Sequence, residues 1–248
     1  MKSIQVYRKY LFPYAVIALL VSLFVIFTDC RIIPGKGTWN QLELRSIDFR
    51  FLFKKKLEKD PIKKIIVIAI DEKSYKKINQ PLIFYHTYIS EVIDYLVEGG
   101  VKTIGLDIEL PSISLEDKIE GGYESIYLQS FMNARKKGVN IIIGFSSQEN
   151  APLQGYLLAA GEANLATFHL TEDSDDCIRR QQLYFDDGGK RYNSIAYTLA
   201  MNFTNQQISA PSKTILIDYS LAQDIPIYSF HDIYELSKKR NNHQGNAF

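Results

Sequence analysis

Apolar and polar positions fall into blocks with two distinct periods. Ile65–Asp71 is an unbroken apolar run, rich in β-branched residues, that stops on a carboxylate. A strand buried on both faces in the middle of a parallel sheet has this pattern. Thr103–Ile108 and Asn140–Phe145 repeat it. Between them the apolar positions take helical spacing. Ile89, Val92, Ile93, Leu96 and Val97 line one face of a helix over Thr87–Val97, and Gly99-Gly100 closes it. Ile126, Tyr127, Phe131 and Ala134 do the same over Tyr123–Lys137, which ends at Gly138. The order β-α-β-α-β predicts parallel pairing.

Beyond Phe145 the blocks shorten. The pattern predicts a short helix over Leu153–Ala160 and a strand over Ala163–Phe168. A hairpin follows, with arms at Cys177–Phe185 and Lys190–Tyr192 around the turn Asp186-Asp187-Gly188-Gly189. Ser194 caps a helix carrying Ile195, Ala196, Leu199 and Phe203 on one face. A strand over Lys213–Tyr219 and a helix over Ser229–Lys239 complete the series, and residues 240–248 read as a polar tail. The expected fold is α/β: a mostly parallel central sheet flanked by helices, with an additional β-hairpin.

The amino-terminal part has another character. Residues 1–10 are polar and carry Lys2, Arg8 and Lys9; residues 11–28 are apolar without a charge. Such a run approaches the ~20 residues that a membrane-spanning helix needs, and no small-residue cleavage site follows it. The expectation is one uncleaved transmembrane helix in the lipid bilayer. The flanking Lys and Arg place the amino terminus in the cytoplasm and the main domain outside. Residues 29–37, with Pro34-Gly35-Lys36-Gly37, form a linker. Thr38 then caps a helix over Trp39–Lys56, with Trp39, Leu42, Phe49 and Phe53 on one stripe and Leu44, Ile47 and Phe51 beside it. That face packs on the domain or on the membrane surface. Lys54, Lys55, Lys56 and Lys59 form a solvated end, or contact lipid head groups.

Composition removes several functions. A net charge of +1 over 248 residues, with no basic face, argues against nucleic-acid binding. Cys30 and Cys177 make neither a disulfide framework nor a zinc site. His86, His169, His231 and His243 are scattered. Glu172, Asp173, Asp175 and Asp176 lack the order of a calcium loop, and no P-loop, GxGxxG or GxSxG is present. No catalytic set, metal centre or cofactor is implied.

The order of several segments resembles the CHASE2 family, the extracytoplasmic sensory domains of bacterial transmembrane receptors. Leu44–Arg50 (LRSIDFR) resembles the family's opening segment, and Ile66–Ser74 its first strand and acidic turn. Val101–Ile108 and Gly161–Leu165 are similar to later family segments. Asp175–Arg180 resembles the family turn D-x-D-G-x-x-R, with Cys177 in place of Gly. Pro226–Ile233 resembles the run before the last strand. The family's W-P-W-P-R pattern is absent, and Pro81–His86 stands in its place. The resemblance implies a domain over residues 38–239, incomplete at its carboxyl end. In the family a final apolar strand, further membrane spans and an output module follow. A sheet left uncovered by the missing strand would lower solubility.

Ligands of open α/β sheets bind at the carboxyl ends of the strands. Asp71 and Glu72 follow the first predicted strand, and Asp107 and Glu109 follow the second, taken as its neighbour. With Tyr85 and His86 from the divergent Pro81–His86 segment, they are the candidate ligand contacts. The plainer alternative is that the aspartates cap the turns that follow. Two functions remain open. One is a non-enzymatic sensory input domain in the bacterial inner membrane that binds an unknown small-molecule or protein signal, with a homodimer as a candidate assembly. The other is a membrane-anchored accessory protein whose domain binds another protein and senses nothing.

Overall fold

The computed structural model describes residues 13–25, 36–53, 64–119, 122–206, 212–219 and 225–245. The chain divides into two compact units: residues 1–58 with 172–177, and residues 59–171 with 178–248.

In the first unit, residues 13–25 form helix α1, uncharged and exposed throughout. Residues 11, 12 and 26–28 of the expected span lie outside the described residues. Among the described residues no helix is long and apolar enough to cross a membrane. Helix α2 runs over Lys36–Phe53. It begins before Thr38, so that residue lies inside the helix and does not cap it. Its apolar face divides in two. Leu44 and Ile47 are buried, whereas Leu42, Phe49 and Phe53 are exposed and the Phe49 and Phe53 rings stack. Lys54–Lys56 and Lys59 lie outside the described residues.

The second unit is mixed α/β. A three-stranded parallel ladder runs β2 (Thr103–Leu106), β3 (Asn140–Phe145), β4 (Leu165–Thr167), with β3 in the middle. Helix α5 (Tyr123–Lys136) and helix α6 (Gln154–Ala160) cover one face of β3, and α7 (Ile195–Thr204) packs on the same ladder. The Ile141 and Ile143 side chains join the main core cluster with Phe131 and Tyr156, and Ile142, pointing the other way, is equally buried. Gly105 pairs with Ile142 across the ladder. A methyl group on Gly105 would meet the Leu199 side chain of α7 at 2.9 Å. The glycine therefore lets α7 lie close against β2.

Strand β1 (Val67–Ala69) is not in that ladder. It pairs in parallel with β9 (Ile227–Ser229), Ile68 opposite Tyr228. Asp71 and Asp107 therefore do not follow hydrogen-bonded neighbours, contrary to the expectation from chain order. The reading of Ile65–Asp71 as buried on both faces also fails. Ile68 and Ile70 pack on the core, but Ile65, Ile66 and Val67 are exposed. Helices α3 (Glu72–Ile78) and α8 (Phe230–Gly245) and helix α4 (His86–Glu98) accompany this pair, α8 packing on both α3 and α4. The fully covered strand is β3.

The helix periods hold in α4, where Ile89, Val92, Ile93 and Val97 are buried. Ser130 of α5 donates to the Ser90 carbonyl at 3.3 Å and to Asp94 at 3.1 Å, joining α5 to α4. Ser194 caps α7 by accepting the Tyr197 N–H. The hairpin is β6 (Tyr184–Asp187) and β7 (Lys190–Asn193), and φ is positive at both Gly188 (54°) and Gly189 (78°). A two-residue turn of the I′ kind needs that conformation. The expected first arm is divided, because β5 (Arg180–Gln182) pairs instead with β8 (Thr214–Leu216). Helix α8 runs to Gly245, beyond Lys239, so part of the expected tail is helical.

Phe131 is fully buried between the rings of Tyr127 and Tyr156. Replacing it with alanine is expected to cost about 3–5 kcal/mol. Urea unfolding of the two proteins measures the difference, and a loss below ~1 kcal/mol would contradict this packing.

Candidate functional site

Two places at the carboxyl ends of strands bring polar groups together. The first follows β1. Asp71 ends the strand in extended conformation and caps α3. Its Oδ1 accepts the Ser74 N–H at 2.9 Å, the Ser74 hydroxyl at 2.7 Å and the Ser229 hydroxyl at 2.8 Å. The Ser74 Oγ accepts the His231 N–H at 3.1 Å. Lys73 bridges to Asp232 at 2.6 Å. The hydrogen bonds from Ser74 hold the Asp71 carboxyl below its ordinary range. A carboxylate oxygen with three donors already in place is a structural acceptor. Glu72, beside it, pairs with Lys76 one turn on, and both side chains face solvent.

The second place follows β2. The chain leaves the strand through Asp107 and Glu109, both exposed. Glu109 Oε1 accepts the Ser146 N–H just beyond β3, at 3.0 Å. The opposite wall comes from the single 3-10 turn Leu82–Tyr85 and the first turns of α4 and α5. Between them lies a cavity of about 370 Å³, whose polar lining includes Glu109, Ser112, Asn150, Tyr123 and Tyr127. That is near the lower end of the usual size range for small-molecule pockets, ~300–1,000 Å³. His86 stands behind Tyr123, the two rings 4.3 Å apart. It is buried, and among the described residues its Nδ1 has no hydrogen-bond partner. Burial pushes the His86 imidazole below its ordinary pKa.

The amino terminus of α5 borders the same region and is already satisfied. Glu116 accepts the Glu124 N–H at 2.7 Å, and Glu124 accepts the Leu115 N–H at 2.8 Å. This reciprocal arrangement works as a capping box does.

The structure thus separates the six expected contacts. Glu109 lines the cavity and His86 backs it. Asp71 belongs to the α3 cap, and Glu72 is a surface partner of Lys76. Tyr85 is fully buried among Tyr75, Tyr88 and Phe230, its hydroxyl unpartnered among the described residues and its pKa raised by burial. Asp107 is exposed and does not line the cavity. Tyr123 and Tyr156 were not singled out in the sequence, and Tyr127 was read only as a position on the buried face of a helix. Their one signal is chemical: a tyrosine at a core position of a helix carries a hydroxyl that ordinarily seeks a partner. Tyr156 is buried against Tyr127, with its own hydroxyl unpartnered. Among the described residues no group of His, Cys, Asp and Glu is arranged to hold a metal ion.

The family model for the CHASE2 domain matches residues 16–246 of the chain. No curated protein and no solved structure matches it.

The Asp71 carboxyl is lowered from 3.8, so its contribution to stability is present above that pH and is lost as pH falls through the folded value. Melting temperatures at neutral pH should fall in the order wild type, Asp71→Asn, Asp71→Ala, because Asn keeps one acceptor oxygen. The gap between wild type and Asp71→Asn should narrow as pH is lowered through this range; a gap that persists there would show that the charge is irrelevant.

His86 gives a slope of the same sign in a higher window. Its folded pKa lies below 6.5, so the unfolded chain binds the additional proton first. Stability should be level above about pH 6.5 and decline below it. Unfolding midpoints at two pH values on either side should differ in wild type and differ less in His86→Gln. An equal dependence in both proteins would exclude this histidine as the source.

Proposed function

The chain belongs to the CHASE2 family of extracytoplasmic sensory domains, and on that premise we propose that it is the input domain of a bacterial transmembrane receptor. Residues 11–28 anchor it in the inner membrane with the amino terminus in the cytoplasm. The domain over residues 38–239 binds its signal outside. A bound signal changes the packing of α4 and α5 around the cavity, and membrane helices carry that change to a cytoplasmic output module. Two copies side by side would give such helices something to move against.

The family match over residues 16–246 carries this reading. The cavity supports it, since its walls come from three separate elements: the turn Leu82–Tyr85, the loop after β2 and the start of α5.

Two measurements test the proposal on the full chain. In membranes, the domain should resist carbonate extraction and be cut by protease added from the extracytoplasmic side only. In detergent, a metabolite that binds should raise the melting temperature saturably; at a hundred times its Kd the stabilisation is about 2.7 kcal/mol. Ser112→Trp, which places a large ring at the exposed rim of the cavity, should abolish that shift. A shift that survives Ser112→Trp would put the signal elsewhere. Protease access only from the cytoplasmic side would overturn the topology.

A further inference from the structure

We propose that the cavity after β2 takes a small organic cation, a protonated amine carried on an apolar body. This inference rests on the sensory reading above and specifies the chemistry of its ligand.

The charge distribution points one way. Glu109 is the charged residue that lines the cavity, and no Lys, Arg or His lines it. Around it in the chain stand Asp107, Glu116, Asp117 and Glu124, against one lysine, Lys118, which is exposed. The whole chain is +1, so this segment is a local concentration of negative charge. A cleft walled by apolar groups and edged by one sign of charge draws in ligands of the other sign.

The hydrogen-bonding groups agree. Glu109 Oε1 is held by the Ser146 N–H, which fixes the carboxylate and leaves Oε2 without a protein partner among the described residues. Asn150 uses its Nδ2 to donate to Ser146 Oγ at 3.2 Å, so its Oδ1 remains as an acceptor. Tyr127 is 3 % exposed and lines the cavity, and no partner holds its hydroxyl among the described residues. Two free acceptors and one hydroxyl suit a group with several N–H donors.

An anion has no equivalent reception. The amino terminus of α5 would be its natural site, but Glu116 already occupies it. Leu82, Ile83, Ile89, Ile108 and Leu110 supply the remaining walls. They call for a hydrocarbon body, and Tyr123 and Tyr127 add aromatic carbon to the lining. A bare inorganic cation would leave those walls wet, and its ligands would be too few.

The test is titration calorimetry on the full chain in detergent, with phenethylamine and isoamylamine as probes. The matched acids, 3-phenylpropionate and isocaproate, and the matched alcohols are the comparison. The amines should bind saturably and at least about tenfold more tightly than the acid or alcohol of the same skeleton. Affinity for the amine should fall as salt is raised. Glu109→Gln keeps an oxygen for the Ser146 N–H and removes the charge. It should weaken amine binding about ten- to a hundredfold with the melting temperature unchanged. Tyr127→Phe should weaken it less. Equal binding of acid or alcohol, indifference to Glu109→Gln and to salt, or no amine binding up to about 10 mM would each overturn the proposal. The salt dependence needs no variant, so a misfolded Glu109→Gln does not rescue the idea. An anionic metabolite whose effect is lost in Ser112→Trp would leave the sensory reading standing and remove this one. A signal indifferent to Ser112→Trp would remove the reading beneath it.

Discussion

One carboxylate oxygen joins the beginning of the α/β unit to its end. Asp71 Oδ1 receives the Ser74 N–H and hydroxyl from its own helix and the Ser229 hydroxyl from a strand 158 residues away. The parallel pairing of β1 with β9 brings Ser229 there. The Ser74 hydroxyl, fully buried, passes the connection to the backbone of α8 through His231. Phe230, next in the chain, enters the core against Tyr85. The position of α8 against α3 and α4 therefore depends on a cap that, in a less connected protein, would only start a helix. A partly satisfied network in this place would be worse than an apolar one. Here every donor named has its acceptor.

The rest of the core is built from rings with polar tips. Tyr85, Tyr123, Tyr127 and Tyr156 sit among Phe131 and Phe230, with His86 against Tyr123 and Tyr127. Each ring brings a large buried area and a hydroxyl that must go somewhere. Among the described residues the hydroxyls of Tyr85 and Tyr156 are buried without partners, and Tyr127 reaches the cavity wall. A core of phenylalanines would pack as well and would lack this polar inner surface. Tyr123 and Tyr127 thus belong both to the packed core and to the lining of the space after β2.

Local signals were legible in the sequence and distant ones were not. The stripe Ile89, Val92, Ile93, Val97 made α4 readable, as Ser194 did for α7 and Gly188-Gly189 for the hairpin turn. These depend on neighbours a few residues away. The run Ile65–Asp71 looked as buried as Asn140–Phe145, because composition alone does not say which strand lies in the middle. The difference is the partner: β3 has β2 and β4 on its two sides, while β1 has β9. The same limit applies to the site. Glu109 was legible because carboxylates at strand ends attract attention. Asp71 drew the same attention, but the hydroxyl of Ser229 that helps to occupy it comes from the far end of the chain. Tyr123 and Tyr127 read as helix residues, because their hydroxyls become informative only once the loop after β2 is placed against them. The family resemblance, by contrast, depended on the order of short segments, which needs no knowledge of pairing.

The β1–β9 pairing also sets a clock on synthesis. At ~5–20 residues per second, the ribosome needs about 8–30 s to go from the first of these strands to the second. Through that interval β1 has no strand to pair with among the described residues, while β2, β3 and β4 emerge in sequence and can close their ladder. Contacts between distant parts of a chain are the slow ones to form. The ladder half can therefore be complete while the half that carries Asp71 is still waiting. The network around Asp71 Oδ1, which needs the Ser229 hydroxyl, cannot be complete before β9 has been made.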